Sequence, residues 1–197
     1  MNLFSSLASD LALGPRRRSP PARRPRPRLR SLSIALSPLA LVAALQLAGL
    51  RFNTSASLPR GVYLLCHRPP ARLDLVLACP PSWAARLALD RHYLPAGECP
   101  GGTQPLGKIL LGLPGDLLDL SATGLSVNGS PIPRSVPLPT DTFGRPLRHH
   151  PYGHFLLARD QIWLFSPHPR SFDSRYFGPV RQTAIRGPLA PILTSEP

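Results

Sequence analysis

Residues 31–50 form an unbroken run of twenty residues without a charged side chain, bracketed by Arg30 and Arg51. At 1.5 Å rise per residue, a helix of this length spans about 30 Å, the thickness of the hydrocarbon layer of a bilayer. A cleaved secretory signal peptide is the alternative. Its apolar core would be only about 7–15 residues long, and the sequence near Arg51 offers no convincing small-x-small cleavage site. The segment therefore predicts one uncleaved transmembrane anchor at residues 31–50.

The residues before this segment set its direction across the membrane. Residues 1–30 contain eight arginines and one acidic residue, Asp10, and positive flanks stay on the cytoplasmic side. This predicts a single-pass protein of a bacterial inner membrane, with a cytoplasmic tail at residues 1–30 and a periplasmic domain at residues 51–197. A nucleic-acid-binding arm is the rival interpretation of the arginines. No aromatic side chain interleaves with them and the apolar segment follows directly, so we expect no nucleic-acid partner.

The three cysteines fit an oxidising compartment. Cys79 and Cys99 flank a segment with helical character. A bridge between them would close a loop of about twenty residues and would add about 3 kcal/mol to the free energy of unfolding. A bridge that includes Cys66 is the alternative. A metal site at His149 and His150 is not expected, because adjacent side chains on a strand point apart and the sequence contains no His-Glu-x-x-His helix. We expect no metal and no other cofactor.

Short apolar runs separated by turn residues continue along the rest of the chain. They predict strands, and Asn128-Gly129 predicts a tight hairpin because both central positions of a type I′ turn need positive φ. Residues 82–91 are the one plausible soluble helix. We therefore expect a mainly β domain of about 145 residues, with one short helix and one hydrophobic core. The predicted strands are 61–66, 74–79, 108–113, 117–120, 125–132, 155–158 and 161–165.

Two segments carry a candidate hydrolytic pair. Lys108 is the only lysine of the chain and begins the apolar stretch Lys-Ile-Leu-Leu-Gly-Leu-Pro-Gly-Asp at 108–116, and burial lowers the pKa of an amine. A neutral lysine can take the proton of a serine hydroxyl, which arginine cannot do. Ser57, in Ser-Leu-Pro-Arg-Gly just past the apolar segment, is the candidate nucleophile, and Ser55 is its rival.

A third segment, Ser-Phe-Asp-Ser-Arg-Tyr-Phe-Gly-Pro-Val at 171–180, gathers a carboxylate, a cation, two hydroxyls and two aromatic rings. Asp173 could orient the lysine through a neighbouring serine, Ser171 or Ser174. It could instead pair with Arg175 at the edge of a strand. The sequence leaves these alternatives open.

The ordered segments together resemble the bacterial type I signal peptidases, the Ser-Lys peptidases of superfamily S26. Lys-x-x-x-Gly-Leu-Pro-Gly-Asp is similar to the segment that carries the general-base lysine of that family, and Ser-x-Asp-Ser-Arg-Tyr-x-Gly is similar to its last motif. The sequence departs from the ordinary signal peptidases at two places, and both departures resemble the branch that serves conjugative transfer. Pro59 lies two residues after Ser57, where ordinary signal peptidases place the proline three residues after the nucleophile. Phe-Ser-Pro-His-Pro-Arg at 165–170 stands where they carry a Gly-Asp-Asn-Arg-type run. The resemblance covers about residues 31–185.

The resemblance implies a signal-peptidase-like, LexA-like β fold with a Ser-Lys dyad. It also implies that the backbone N–H of the nucleophile forms part of the oxyanion hole, to which Ser55 adds its hydroxyl unless that serine only caps a turn. An aspartate of the last motif is implied to be needed for activity, and the cysteine pair before the lysine also resembles the conjugative branch. The implied site residues are Ser57, Lys108 and Asp173, with support from Ser55, Ser171 and Arg175.

The expected function is that of a membrane-anchored serine endopeptidase that processes exported precursors, above all the pilin of a conjugative transfer or type IV secretion system. Hydrolysis and cyclisation of the product both remain open. The expected partners are a membrane-tethered pilin or preprotein, the inner membrane and other conjugative transfer components. A general type I signal peptidase is the first alternative. The second is a non-enzymatic membrane-anchored assembly factor, which would not need Lys108.

Overall fold

The computed structural model describes residues 40–195. Residues 40–47 are helical, and strand β1, Leu50–Asn53, follows them. The basic tail and residues 31–39 of the predicted anchor lie outside the described residues. Within residues 40–195, no helix is both long and apolar enough to cross a bilayer. The transmembrane anchor and its orientation therefore stay predictions.

The described chain folds mainly into two antiparallel sheets, which confirms the mainly β class. The larger sheet has seven strands in the order β1-β2-β11-β3-β4-β9-β10, and the smaller one has four in the order β7-β6-β5-β8. The strands after β1 are β2 Gly61–Leu65, β3 Leu75–Ala78, β4 Leu106–Gly112, β5 Leu117–Ser121, β6 Gly124–Val127, β7 Ser130–Ile132, β8 Gly153–Leu156, β9 Gln161–Phe165, β10 Val180–Arg181 and β11 Ile185–Thr194.

The helices are short and lie at the ends of strands. Helix α1, Ser82–Asp90, matches the predicted helix and buries Ala84, Ala85 and Ala88. A second helix, α2 at Ser174–Phe177, and a 3-10 turn at Gln182–Ala184 were not expected. The expectation of one short helix was therefore incomplete, because a four-residue helix has no room for a repeating apolar pattern.

Strand β11 lies inside the larger sheet, between β2 and β3, although it contains Pro188 and Pro191. Proline cannot donate a ladder hydrogen bond and is tolerated in sheets at bulges and edges. The register of β11 shifts twice, between Ile185 and Gly187 against β3 and between Pro191 and Leu193 against β2. These irregularities let one strand pair with β3 along its first half and with β2 along its second half.

The buried apolar side chains form three clusters and not the single core that we expected. One cluster lies mainly on β3, β4 and β9, and a second joins β4 and β9 to the smaller sheet through side chains such as Leu118 and Trp163. The third contains Leu58, Tyr63 and Leu189. It supports the turn between β1 and β2, and this turn carries Ser57.

Candidate active site

The turn that presents Ser57 is fixed by hydrogen bonds and by one buried side chain. Asn53 Nδ2 donates to the carbonyls of Leu58 and Pro59 at 3.0 Å, and the Tyr63 hydroxyl donates to the Pro59 carbonyl at 2.6 Å. Leu58 is buried in the third cluster. The position of Ser57 is therefore set by groups on both strands that flank the turn.

Gly107 lets strand β4 approach this turn closely. A Cβ atom at Gly107 would lie 2.7 Å from Leu58 Cδ1, which is inside van der Waals contact. A side chain at this position would force the end of the Leu58 side chain to move. The next residue along β4 is Lys108, so this close contact lies beside the candidate base.

Lys108 is buried on β4, with 3% of its surface exposed. Burial lowers the pKa of its amine from 10.5 to about 8, the negative charge of Asp173 raises it in part, and the positive charge of Arg175 lowers it further. The lowering of the pKa by desolvation is thus larger than its raising by the Asp173 carboxylate. Near pH 8, Lys108 is therefore neutral in a substantial fraction of the molecules, as a general base requires.

The hydroxyl of Ser171 is hydrogen-bonded to both Lys108 and the candidate nucleophile, Ser57. Lys108 Nζ donates to Ser171 Oγ at 2.7 Å, and Ser171 Oγ lies 3.3 Å from Ser57 Oγ, with either hydroxyl able to donate. Residues from the β1–β2 turn, from β4 and from the loop after β9 therefore form one continuous chain of two hydroxyls and an amine. The structure brings Ser57, Lys108 and Ser171 together although they lie far apart in the sequence.

Asp173 pairs with Arg175, and both side chains are fully buried. Arg175 Nε donates to Asp173 Oδ1 and Arg175 Nη2 donates to Asp173 Oδ2, each at 2.9 Å. Arg175 Nη2 also donates to the carbonyl of Ser171 at 3.3 Å. Of the alternatives left open by the sequence, the structure shows the pair with Arg175. The pair fixes the backbone of Ser171, while Ser174 donates nothing to Asp173 and instead accepts from the Leu164 N–H at 3.0 Å.

Ser166 is a site residue that the sequence analysis missed. Its hydroxyl donates to the Ser57 carbonyl at 2.7 Å, and its backbone N–H donates to Asp173 Oδ2 at 3.1 Å. Ser166 thus connects the buried ion pair to the segment of the nucleophile. The available signal was its position in the run 165–170, which departs from the general family pattern.

Ser55 lies on the exposed surface of the same turn. Its hydroxyl donates to Asn53 Oδ1 at 2.8 Å, which is the bonding of a turn-capping serine. The Ser57 N–H has no hydrogen-bond partner within residues 40–195. Of the two oxyanion donors implied by the resemblance, the backbone N–H is therefore available and the Ser55 hydroxyl is bonded elsewhere.

A cleft of about 550 Å³ opens over these residues. Its floor includes Ser57 and Lys108, and apolar side chains such as Leu106, Leu138 and Phe172 line its walls. Ligand clefts of this size and mixed lining hold extended peptides or small molecules.

A disulfide joins Cys79 to Cys99 at the two ends of the segment that contains α1, and Cys66 is free. His149 and His150 do not line the cleft, and His150 packs edge-on against Trp163. Among the described residues, no group of three or more His, Cys, Asp or Glu side chains is arranged to hold a metal ion.

The model for the family described as signal peptidase, peptidase S26, matches residues 30–193. The chain therefore belongs to the signal peptidase family, peptidase S26, which confirms the recognition made from the three sequence segments. It is 36% identical over 179 residues to the probable conjugal transfer protein TraF of Sinorhizobium fredii (strain NBRC 101917 / NGR234), covering 89% of this chain and 94% of that protein. It is 35% identical over 158 residues to a plasmid transfer protein TraF of Escherichia coli, covering 79% and 89%.

A crystal structure of a signal peptidase I from Enterococcus faecalis V583 matches 62% of this chain and 98% of that chain, with 19% sequence identity and a TM-score of 0.37. Family membership makes the chain a peptidase, and the cleft over the buried lysine is where we locate its candidate active site.

Proposed function

We propose that this chain is a membrane-anchored serine endopeptidase in which Ser57 is the nucleophile and Lys108 is the general base. The observation that carries this proposal is the hydrogen-bonded chain from Lys108 Nζ through Ser171 Oγ to Ser57 Oγ. It pairs a hydroxyl facing a cleft with a buried amine whose pKa is about 8. A serine hydroxyl needs such a neighbouring base to become a nucleophile near neutral pH.

In the first half of the reaction, Ser57 Oγ attacks the scissile carbonyl, its proton passes to Ser171 Oγ, and Ser171 gives its own hydroxyl proton to neutral Lys108 Nζ. Ser171, which is hydrogen-bonded to both groups, holds them in line. The Ser57 N–H donates to the oxyanion that forms. The C–N bond then breaks, the lysine ammonium returns its proton to the leaving amine, and an acyl-enzyme ester on Ser57 remains.

In the second half, an acceptor attacks the ester while Lys108 takes the acceptor proton, and Ser57 leaves as the free hydroxyl. Water as acceptor gives hydrolysis. The α-amine of the same substrate as acceptor gives a cyclic product. The two outcomes differ by the mass of one water molecule, so the product itself reports which acceptor is used.

The substrate that we propose is an exported precursor tethered to the inner membrane, in particular the pilin of a conjugative transfer system. The names of the relatives, conjugal and plasmid transfer proteins TraF, support a role in conjugation. Ser57 lies six residues past Arg51, at the end of the predicted anchor, and six residues of extended chain reach about 20 Å at most. The cut therefore lies close to the periplasmic surface of the membrane.

The test is cleavage of the cognate pilin precursor in membranes that contain the wild type, Ser57→Ala or Lys108→Arg at equal protein levels. Lys108→Arg is a matched change because it keeps the positive charge and removes the ability to deprotonate. We expect both variants to lose cleavage and Ser55→Ala to retain most of it.

Cleavage that survives in Ser57→Ala and Lys108→Arg would overturn the dyad and favour a non-enzymatic assembly factor. A generic preprotein with a small-x-small site, tested in the same membranes, separates the two peptidase alternatives. Rapid cleavage of that preprotein would indicate a general signal peptidase, whereas restriction to the pilin precursor would support the conjugative role.

A further inference from the structure

The cleft carries an excess of positive charge. Three arginines, Arg51, Arg91 and Arg170, line it together with one carboxylate, Asp141. The proposed mechanism uses none of these four side chains. Their arrangement shows which of them is free to contact a substrate.

Asp141 is fully engaged by the protein. Its carboxylate accepts from the Tyr93 hydroxyl and from Arg145 Nε, each at 2.6 Å. Burial acts to raise its pKa, but these hydrogen bonds outweigh burial and hold the pKa well below its ordinary range. Asp141 is therefore ionised at neutral pH, and its charge is already balanced by Arg145.

Two of the lining arginines are also engaged. Arg51 Nη1 donates to the carbonyls of Gln46 and Leu50 at 2.7 and 2.9 Å. Arg91 Nη1 donates to the carbonyl of Pro146 at 2.8 Å and lies 3.6 Å from Asp141. Both guanidinium groups are thus tied to the fold through Nη1.

Arg170 differs from both. It is exposed in the cleft, and within residues 40–195 its side chain has neither a hydrogen bond nor an ion pair with the protein. It directly precedes Ser171, whose hydroxyl bridges the proposed dyad.

The backbone that carries Arg170 is held in place. The Ser171 N–H donates to the His168 carbonyl at 3.0 Å, and the buried Arg175 donates to the carbonyls of His168 and Ser171 at 3.3 Å. An unpaired guanidinium is therefore displayed from a fixed turn into the cleft that Ser57 and Lys108 also line. A guanidinium presents a planar fork of donors that matches a carboxylate in a bidentate geometry.

We propose that Arg170 is a specificity-determining residue that binds a carboxylate of the peptide substrate close to the scissile bond. The carboxylate is either an aspartate or glutamate side chain or the α-carboxylate of a nearby C-terminus. Arg170 lines the same cleft as Ser57 and adjoins Ser171 in the chain, so we place the bound carboxylate within a few residues of the cut. This inference rests on the proposed function, because it places the scissile bond at Ser57.

The test measures binding of fluorescent peptides to the full chain with Ser57→Ala, in detergent. One glutamate is moved through the positions on both sides of a small-residue cleavage sequence, and each peptide is compared with its glutamine counterpart. The same peptides are made with a free and with an amidated C-terminus, which separates the two sources of the carboxylate. We expect one position or one terminus at which the anionic peptide binds about three- to tenfold more tightly than its neutral partner.

The affinity ratio is the dissociation constant of the neutral peptide divided by that of its anionic partner. Adding Arg170→Gln to the Ser57→Ala protein should reduce this ratio to about one. In the Ser57→Ala protein with Arg170 intact, raising the salt from about 50 to about 500 mM should lower the ratio. Arg159→Gln is the matched control, because it removes the same charge from an exposed position outside the cleft. It should preserve the ratio. Tryptophan fluorescence of each variant reports whether the fold is retained.

A ratio that persists in Arg170→Gln, or that Arg159→Gln reduces equally, would overturn the proposal, as would the lack of any anion preference along the peptide. Because binding is measured without the nucleophile, this result does not depend on whether Ser57 is catalytic. Failure of the proposed function would appear separately, as cleavage by Ser57→Ala or Lys108→Arg membranes.

Discussion

Replacing Lys108 by methionine should abolish cleavage and yet make the fold more stable. Methionine has a similar length and no charge, so it fills the site on β4 without a cavity. The lysine that it replaces is 3% exposed and is held next to a buried ion pair. The substitution therefore removes the cost of burying an ammonium group.

The size of this effect follows from the pKa of Lys108, which burial lowers from 10.5 to about 8. Each pH unit between the two values corresponds to about 1.4 kcal/mol, so the buried charge costs about 3 kcal/mol. The hydrogen bond to Ser171 is lost in the variant, which offsets about 1 kcal/mol of the gain. We expect a net gain of about 2 kcal/mol in the free energy of unfolding at pH 7.

The gain depends on pH with a defined sign. Below pH 8 the lysine is charged in both the folded and the unfolded chain, and the full cost applies. Between pH 8 and 10.5 the folded chain has lost a proton that the unfolded chain still binds, so the wild type becomes more stable as the pH rises. The wild type therefore gains about 3 kcal/mol from pH 7 to about pH 10.5, so the advantage of the variant should disappear and the variant should become about 1 kcal/mol less stable than the wild type.

The assay is denaturant unfolding of the full chain in detergent, followed by the fluorescence of buried Trp163 with the disulfide intact. Ser57→Ala is the control, because it also removes activity but leaves the buried amine in place, and its stability should track that of the wild type at both pH values. An unchanged midpoint for Lys108→Met at pH 7, or a gain of equal size at pH 10.5, would refute the reasoning.

Three further predictions concern the same site and its scaffold. The rate of cleavage by the wild type should rise with pH and level off above about pH 8, as Lys108 loses its proton; a flat profile from pH 6 to 9 in steady-state kinetics would contradict a lysine base. Asp173→Asn should cost about 3–5 kcal/mol, because it leaves the Arg175 charge buried without a carboxylate, and denaturant unfolding that shows less than about 1 kcal/mol would contradict this. Replacing Cys79 and Cys99 by serine should lower stability by about 3 kcal/mol, which thermal unfolding measures, and an unchanged midpoint would show that the bridge contributes nothing.

Much of the site could be predicted because its residues lie in local motifs. Lys108 stood out as the only lysine, within an apolar stretch, and β4 indeed buries it. The tight turn predicted at Asn128-Gly129 is present, with both residues at positive φ. Such features depend on residues that are neighbours in the sequence. A single amino-acid sequence is therefore enough to recognise them.

Contacts between distant segments could not be predicted in this way. Ser166 reaches a carbonyl 109 residues away, and nothing in its local sequence specifies that partner. The pairing of Asp173 with Arg175 became visible only in the folded chain, where Asp173 caps α2 and its carboxylate accepts from Arg175 two residues away. Strand β11 was missed because Pro188 and Pro191 contradict a central strand, and only the register shifts of the folded sheet accommodate them.

The place of β11 in the larger sheet has a consequence for when this protein becomes a peptidase. The hairpin of β1 and β2 carries Ser57, the proposed nucleophile, and the antiparallel pair of β3 and β4 carries Lys108 on β4, but β11 lies between the two pairs. A nascent chain that ends before Ile185 lacks the strand that joins them. The candidate site can therefore assemble only after residues 185–194 have been made and paired, so a chain that stops before them holds the Ser57 and Lys108 segments without the strand that joins them.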